Sequence, residues 1–160
     1  MLMDQSSQGG SASRAPYVVI AGYGLPGRTL VESLSRANIE HVVVELNPQA
    51  CQRAGAGGVR MIAGSAADPE ILRQAQVERA TLVALMVPSD EVVLAAIVHV
   101  RRLNPTAHII ARCSFTSTGL EAMKRGANDS IVAEQVIARE LDSLTKTLFP
   151  GLREEGKRIE

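Results

Sequence analysis

A full G-x-G-x-x-G run, Gly22-Tyr23-Gly24-Leu25-Pro26-Gly27, stands between the apolar segment Tyr17-Val18-Val19-Ile20-Ala21 and a helical pattern beginning near Leu25. Alone such a run says little. Its surroundings sharpen it, because Glu45 closes the next β-branched run about twenty residues on, where a ribose-binding carboxylate is expected in a dinucleotide-type fold. In that arrangement Gly22 permits the tight turn, Gly24 lets a phosphate approach the backbone, and Gly27 lets the helix lie close to the strand. The helix start offers unpaired amides and a partial positive charge to the phosphate. Glu45 can accept from ribose hydroxyls, and its charge would repel a 2′-phosphate, which disfavours NADP. The plainer alternative for Glu45 is a solvated strand end.

Proline lacks a backbone N–H, so Pro26 removes one donor from this cradle and favours a mononucleotide or compact adenosine phosphate over an extended dinucleotide. Arg28 either supplies a compensating cation or is an ordinary exposed helix residue.

Short β-branched runs alternate with helical patterns from Tyr17 onward, the signature of stacked βαβ units. The expected strands are Tyr17–Ala21, His41–Leu46, Val59–Ala63, Thr81–Val87, His108–Arg112 and Asp129–Val132. They predict an α/β Rossmann-type fold, a doubly wound parallel six-stranded sheet in the order 3-2-1-4-5-6. The helices between them carry their own punctuation: Pro48 at one start, glycines 55 to 58 at its end, Asp68-Pro69 opening a helix to Gln76, Ser89 or Asp90 capping a helix to Leu103, Asn104-Pro105 ending it, and Gly126 stopping a helix that begins near Thr118. A terminal crossing helix, Ala133 to Leu148, sets Ile137, Leu141, Leu144 and Leu148 on one face. That stripe either packs on the sheet or meets a second copy. Residues 1–16 read as a flexible N-terminal segment, 17–148 as the nucleotide-binding domain and 149–160 as a charged tail.

In a doubly wound sheet the ligand crevice lies beyond the carboxyl ends of the strands. This adds Leu46, Gly64-Ser65-Ala66, Pro88-Ser89 and Arg112 to a candidate set of Gly22, Tyr23, Gly24, Leu25, Pro26, Gly27, Arg28 and Glu45. Arg112 either faces a phosphate or pairs with a structural carboxylate.

Charge narrows the partners. Lys plus Arg and Asp plus Glu are balanced at 17 each, and only Tyr17, Tyr23, Phe115 and Phe149 are available to stack on bases, so nucleic acid is not expected. Cys51 and Cys113 belong to no metal-ligand cluster and suit a reducing cytosol; no metal is required. No run reaches the roughly 18 apolar residues of a membrane span, and the start lacks the pattern of a signal peptide, so the expectation is a soluble chain.

With these segments placed, Tyr17 to Leu148 resembles the RCK domain, the regulator of potassium conductance also called the KTN or TrkA-N domain. The resemblance rests on VVIAGYGLPGR, VVVELNP, GSAADPEIL followed by VERATLVALMVPSDE, and LNPTAHIIARC with GLEAMKRGANDSIV. The Glu-Leu-Asn-Pro end of the second strand and the Val-Pro exit from the fourth look most like the cytosolic domains of Kef-type cation:proton antiporters, with channel-associated RCK domains the close alternative. The resemblance implies a homodimer that binds an adenine nucleotide (AMP, ADP, ATP or NAD(H)). It further implies a membrane-embedded potassium or cation:proton transport partner, with this chain cytoplasmic, at the cytoplasmic face of the cell membrane. The family's glycines fall on Gly22, Gly24 and Gly27, and its ribose carboxylate on Glu45. Two departures stand out: Gly64-Ser65 replaces the usual Gly-Asp, and Leu25 stands where an arginine is common. The separate C-terminal ligand subdomain of many members has no counterpart.

A nicotinamide-dependent oxidoreductase uses the same fold, yet it needs a substrate pocket and a placed acid or base. His41 and His108 lie at strand starts, away from the crevice, and His99 lies within a helix. The expectation is therefore a binding and regulatory module and not an enzyme.

Overall fold

The computed structural model describes residues 15–152; most of the expected N-terminal flexible segment, and the charged stretch 153–160, lie outside the described residues. The chain alternates strictly between β1 (Tyr17–Ala21), α1 (Leu25–Arg36), β2 (Glu40–Glu45), α2 (Pro48–Ala56), β3 (Met61–Ala63), α3 (Pro69–Gln74), β4 (Leu82–Leu85), α4 (Asp90–Leu103), β5 (His108–Cys113), α5 (Thr116–Arg125), β6 (Asp129–Val132) and α6 (Ala133–Leu148). All six strands pair in parallel in the order β3-β2-β1-β4-β5-β6. This is the doubly wound Rossmann-type sheet that the alternation predicts.

Position in the sheet explains composition. β1 sits centrally, with Ile20 opposite Val43 of β2 and Ala84 of β4, and all five of its residues are buried. A strand covered on both faces has no solvent side, hence the unbroken apolar run. On one face Val31 and Leu34 of α1 pack against Val18, Ile20 and Val43; on the other Val93, Ile97 and Val100 of α4 join Val19, Val83 and Ile109. Burying each of these side chains contributes roughly 1.5–3 kcal/mol.

Several boundaries shift. β3 is only Met61–Ala63 because it is the edge strand and pairs with β2 alone. β4 stops at Leu85, β5 extends to Cys113, and α5 begins at Thr116. α3 ends at Gln74, and the left-handed Gln76 (φ 57°) leads into a 3-10 turn over Val77–Arg79. Gly126 ends α5 with φ 112°, as its sequence position predicts.

Two features go beyond what local pattern shows. Asn104, in sequence a helix stop, is 95% enclosed, its relative exposure being 5%. Its Nδ2 donates to the carbonyls of Val77 (2.8 Å) and Ala80 (2.9 Å), while its Oδ1 accepts from the Ala107 amide (3.0 Å). One side chain thus joins the end of α4 to the entry of β4. The second feature is α6, which buries none of its residues. Ile137, Leu141, Leu144 and Leu148 are 54 to 74% exposed, so the stripe does not pack on the sheet. The physical reason is topological: β6 is the sheet's edge strand, and among the described residues no strand follows α6 for it to cover.

Candidate nucleotide site

The crevice opens where strand order reverses, between the carboxyl ends of β1 and β4, the place a doubly wound sheet offers a ligand. Gly22 turns the chain out of β1 with φ 99°, and its amide donates to the Val44 carbonyl at 2.8 Å, tying the loop to β2. A Cβ on Gly27 would lie 2.0 Å from the Gly22 carbonyl oxygen, so α1 can start this close to β1 only with glycine there. Gly24 has no such neighbour. Its Cβ would meet only Pro26 Cδ, at 4.0 Å, and it faces the cavity.

Gly24 is the N-cap of α1, and no side chain caps the helix or places an acid in its first turn. The start of α1 is therefore uncapped where Gly24 faces the cavity, and Pro26 beside it has no amide to offer. Across the loop stands Glu45. Its Oε2 accepts from the Tyr23 amide at 2.8 Å and its Oε1 from the Asn47 amide at 2.9 Å. Each carboxylate oxygen keeps lone-pair capacity for a further donor.

The remaining walls come from the other strand exits. Gly64 leaves β3 with φ 155° against Ile71, Ser65 Oγ accepts from the Ala67 amide at 3.2 Å, and Ala66 is buried. Ser89 Oγ caps α4 through the Val92 amide at 3.3 Å. Arg112, at the end of β5, reaches back to donate to the Val87 carbonyl at 3.3 Å. Together these enclose a cavity of about 410 Å³, within the range of small-molecule sites.

The structure brings together Gly22, Tyr23, Gly24, Pro26, Glu45, Leu46, Gly64, Ser65, Ala66, Pro88, Ser89 and Arg112 around that cavity. It does not bring in three others named from the sequence. Leu25 points outward at 72% exposure, and Gly27 is buried at the helix–strand contact. Arg28 lines a separate shallow groove of about 330 Å³ with Tyr23, Ala50, Arg53 and Ala54, between α1 and α2. Val44, Met86, Val87 and Val92 complete the lining. Sequence reasoning missed them because an apolar residue at a strand end looks the same whether it faces core or ligand.

Asp90, the alternative α4 cap, does something else. It accepts from the Ser114 amide (2.9 and 3.1 Å) and from Ser114 Oγ (2.9 Å). Burial pushes its carboxyl up, but the hydrogen bonds from Ser114 and Thr118 and the nearby Arg112 charge outweigh this and hold it below the usual range. Among the described residues no three His, Cys, Asp or Glu side chains gather as a metal site, and no helix is long and apolar enough to cross a membrane.

Comparison with known proteins adds lineage. The chain is 31% identical over 131 residues to the putative cation/proton antiporter YbaL of Escherichia coli strain K12, covering 82% of this chain but 24% of that protein. It is 26% identical over 117 residues to potassium channel protein 1 of Methanocaldococcus jannaschii, covering 72% of this chain and 35% of the channel. The chain thus spans about a quarter to a third of these relatives. The crystal structure of the TrkA-N domain of Escherichia coli YbaL matches with a TM-score of 0.77 at 31% identity, covering 81% of this chain and 96% of that one. Two more distant structures share the fold. They are the GsuK channel bound to NAD (TM-score 0.72, 24% identity, 81% of this chain, 24% of that one) and the AMP-bound Shewanella denitrificans Kef CTD (TM-score 0.68, 19% identity, 82% and 80%). The TrkA-N domain model matches residues 18–134, and this chain belongs to that family.

Proposed function

We propose that the crevice binds an adenine nucleotide and that the domain regulates a membrane-embedded potassium or cation:proton transport protein. The observation that carries the reading is Glu45, held by the Tyr23 amide at 2.8 Å beside the uncapped start of α1. In this reading the phosphate lies over the end of β1, the ribose over β2 and the base over β3 near Leu46, Ser65 and Ala66. Charge repulsion at Glu45 disfavours NADP. Similarity to proteins whose structures hold NAD or AMP supports the ligand class, and similarity to an antiporter and a potassium channel supports the partner class. The domain works as a homodimer through the exposed stripe of α6, at the cytoplasmic face of the membrane, as a binding module and not a catalyst. Residues 17–148 form the working unit.

Thermal melts and calorimetric titration with AMP, ADP, ATP, NADH and NADPH test this. A ligand at about 100 times its Kd should stabilise the fold by roughly 2.7 kcal/mol. NADPH should bind weakest, and E45A should lose at least about tenfold in affinity, the worth of one hydrogen bond to a charged group. No stabilisation by any of them at millimolar concentration would overturn the reading.

A further inference from the structure

Arg28 and Arg53 line one groove between α1 and α2, a concavity of about 330 Å³ completed by Tyr23, Ala50 and Ala54. Ala50 and Ala54 stand one helical turn apart on α2 on either side of Arg53, so short side chains leave space open over that helix. No carboxylate lines the groove. Among the described residues neither guanidinium enters an ion pair. Glu32, one turn after Arg28 and spaced for an i,i+4 pair, forms none with it. Glu45 pairs instead with the amides of Tyr23 and Asn47.

Charge leaves this arrangement unbalanced. Arg53, in the last turn of α2, suits the negative end of its own helix dipole. Arg28 has no such reason to be where it is. It follows directly on the uncapped first turn of α1, the positive end of that dipole, and the turn holds no acid. Two cations thus share one concavity that the protein does not neutralise.

We infer that the Arg28–Arg53 groove is an anion site for a phosphoryl group, separate from the crevice and adjoining it at Tyr23, which lines both. Arginine suits such a ligand, because its planar fork donates parallel bonds to phosphate oxygens. Two guanidiniums without a carboxylate match a multiply charged anion. The same chemistry has two sources: a free phosphate, or a second phosphate on the ribose of the proposed nucleotide, which lies over β2 where α2 departs. Glu45 lines the crevice and not the groove, so its charge opposes the ribose-borne phosphate more than the free one. The free anion is the expected occupant.

Inorganic pyrophosphate, titrated calorimetrically into the full chain, is the probe. Wild type should bind it, and the double variant R28A/R53A should bind at least about tenfold more weakly, the worth of one hydrogen bond to a charged group. R36A, which removes an exposed arginine from the last turn of α1, should match wild type. Both groove arginines are exposed, so the double variant should keep the wild-type circular dichroism. Its AMP affinity should stay within about twofold of wild type, since neither residue lines the crevice. Adenosine 3′,5′-bisphosphate compared with AMP reads the other source: a gain over AMP that vanishes in R28A/R53A keeps the groove and puts its phosphate on the nucleotide. If wild type binds neither probe, or R28A/R53A binds both as tightly as wild type, the groove is refuted and the crevice reading stands on its own AMP titration. If AMP does not bind wild type, the nucleotide reading falls and pyrophosphate still decides the groove.

Discussion

Gly27 and Gly22 meet backbone to backbone: a Cβ at position 27 would sit 2.0 Å from the carbonyl oxygen of residue 22. This contact couples the fold to the site, since it sets how near the start of α1 comes to the crevice. Gly27→Ala must displace main chain and not a flexible side-chain end. The substitution is expected to cost about 3 kcal/mol, lowering the melting temperature by roughly 6–12 °C. Gly24→Ala meets only Pro26 Cδ at 4.0 Å. It should melt within about 2 °C of wild type, yet its methyl group would enter the cavity where the proposed phosphate sits and should weaken AMP at least about tenfold. Wild-type melting of Gly27→Ala, by scanning calorimetry, would contradict the geometry.

Asn104 supports the core from inside. Asn104→Ala leaves the carbonyls of Val77 and Ala80 and the amide of Ala107 without these partners in a buried place. A loss of about 3 kcal/mol or more is expected in urea unfolding, since stranded buried polar groups bear their full desolvation cost. Asn104→Asp should also destabilise, because it removes both Nδ2 bonds and buries a charge. A loss below about 1 kcal/mol for Asn104→Ala would show that water replaces these bonds.

Leu141 and Leu144 are 64% and 54% exposed on α6. Leu141→Glu combined with Leu144→Glu should convert the proposed dimer to monomer in analytical ultracentrifugation. The monomer's secondary structure should be unchanged, because neither side chain belongs to the core. Identical sedimentation of variant and wild type would remove the dimer from the proposal.

Glu134 gives a pH signature. The Thr116 hydroxyl, then the Thr116 amide, outweigh burial and hold its carboxyl below the usual range. With the folded value depressed, the bond to Thr116 contributes fully above the unfolded value of about 4.3 and is lost as pH falls through the lower folded value. A carbon-13 titration of the Glu134 carboxyl should show a midpoint below about 4.3, and Thr116→Val should move it upward. A wild-type midpoint at or above that value would rule out the Thr116 bond in solution.

Much of this was legible in the amino-acid order, for a physical reason. Glycine spacing and a carboxylate at a strand end are backbone requirements written locally, so the path from β1 through Gly22–Gly27 to Glu45 could be read directly. The residues that escaped act over distance. Asn104 bonds to residues 24 and 27 positions earlier in the chain, and Asp90 to one 24 positions later. Sequence position makes Asp90 a possible cap, whereas Ser89 takes that part and frees the neighbouring carboxylate. Motif position alone assigns Leu25 and Arg28 to the site. Helix rotation turns one to solvent and the other toward Arg53.

The detachment of α6 from the core has a consequence for descent. Substitutions along this helix escape the folding constraint that polices β1 or α4, so its outer surface is free to change while the strand ends keep the crevice in shape. The tolerance for change is thereby concentrated in sixteen residues that the sheet does not need.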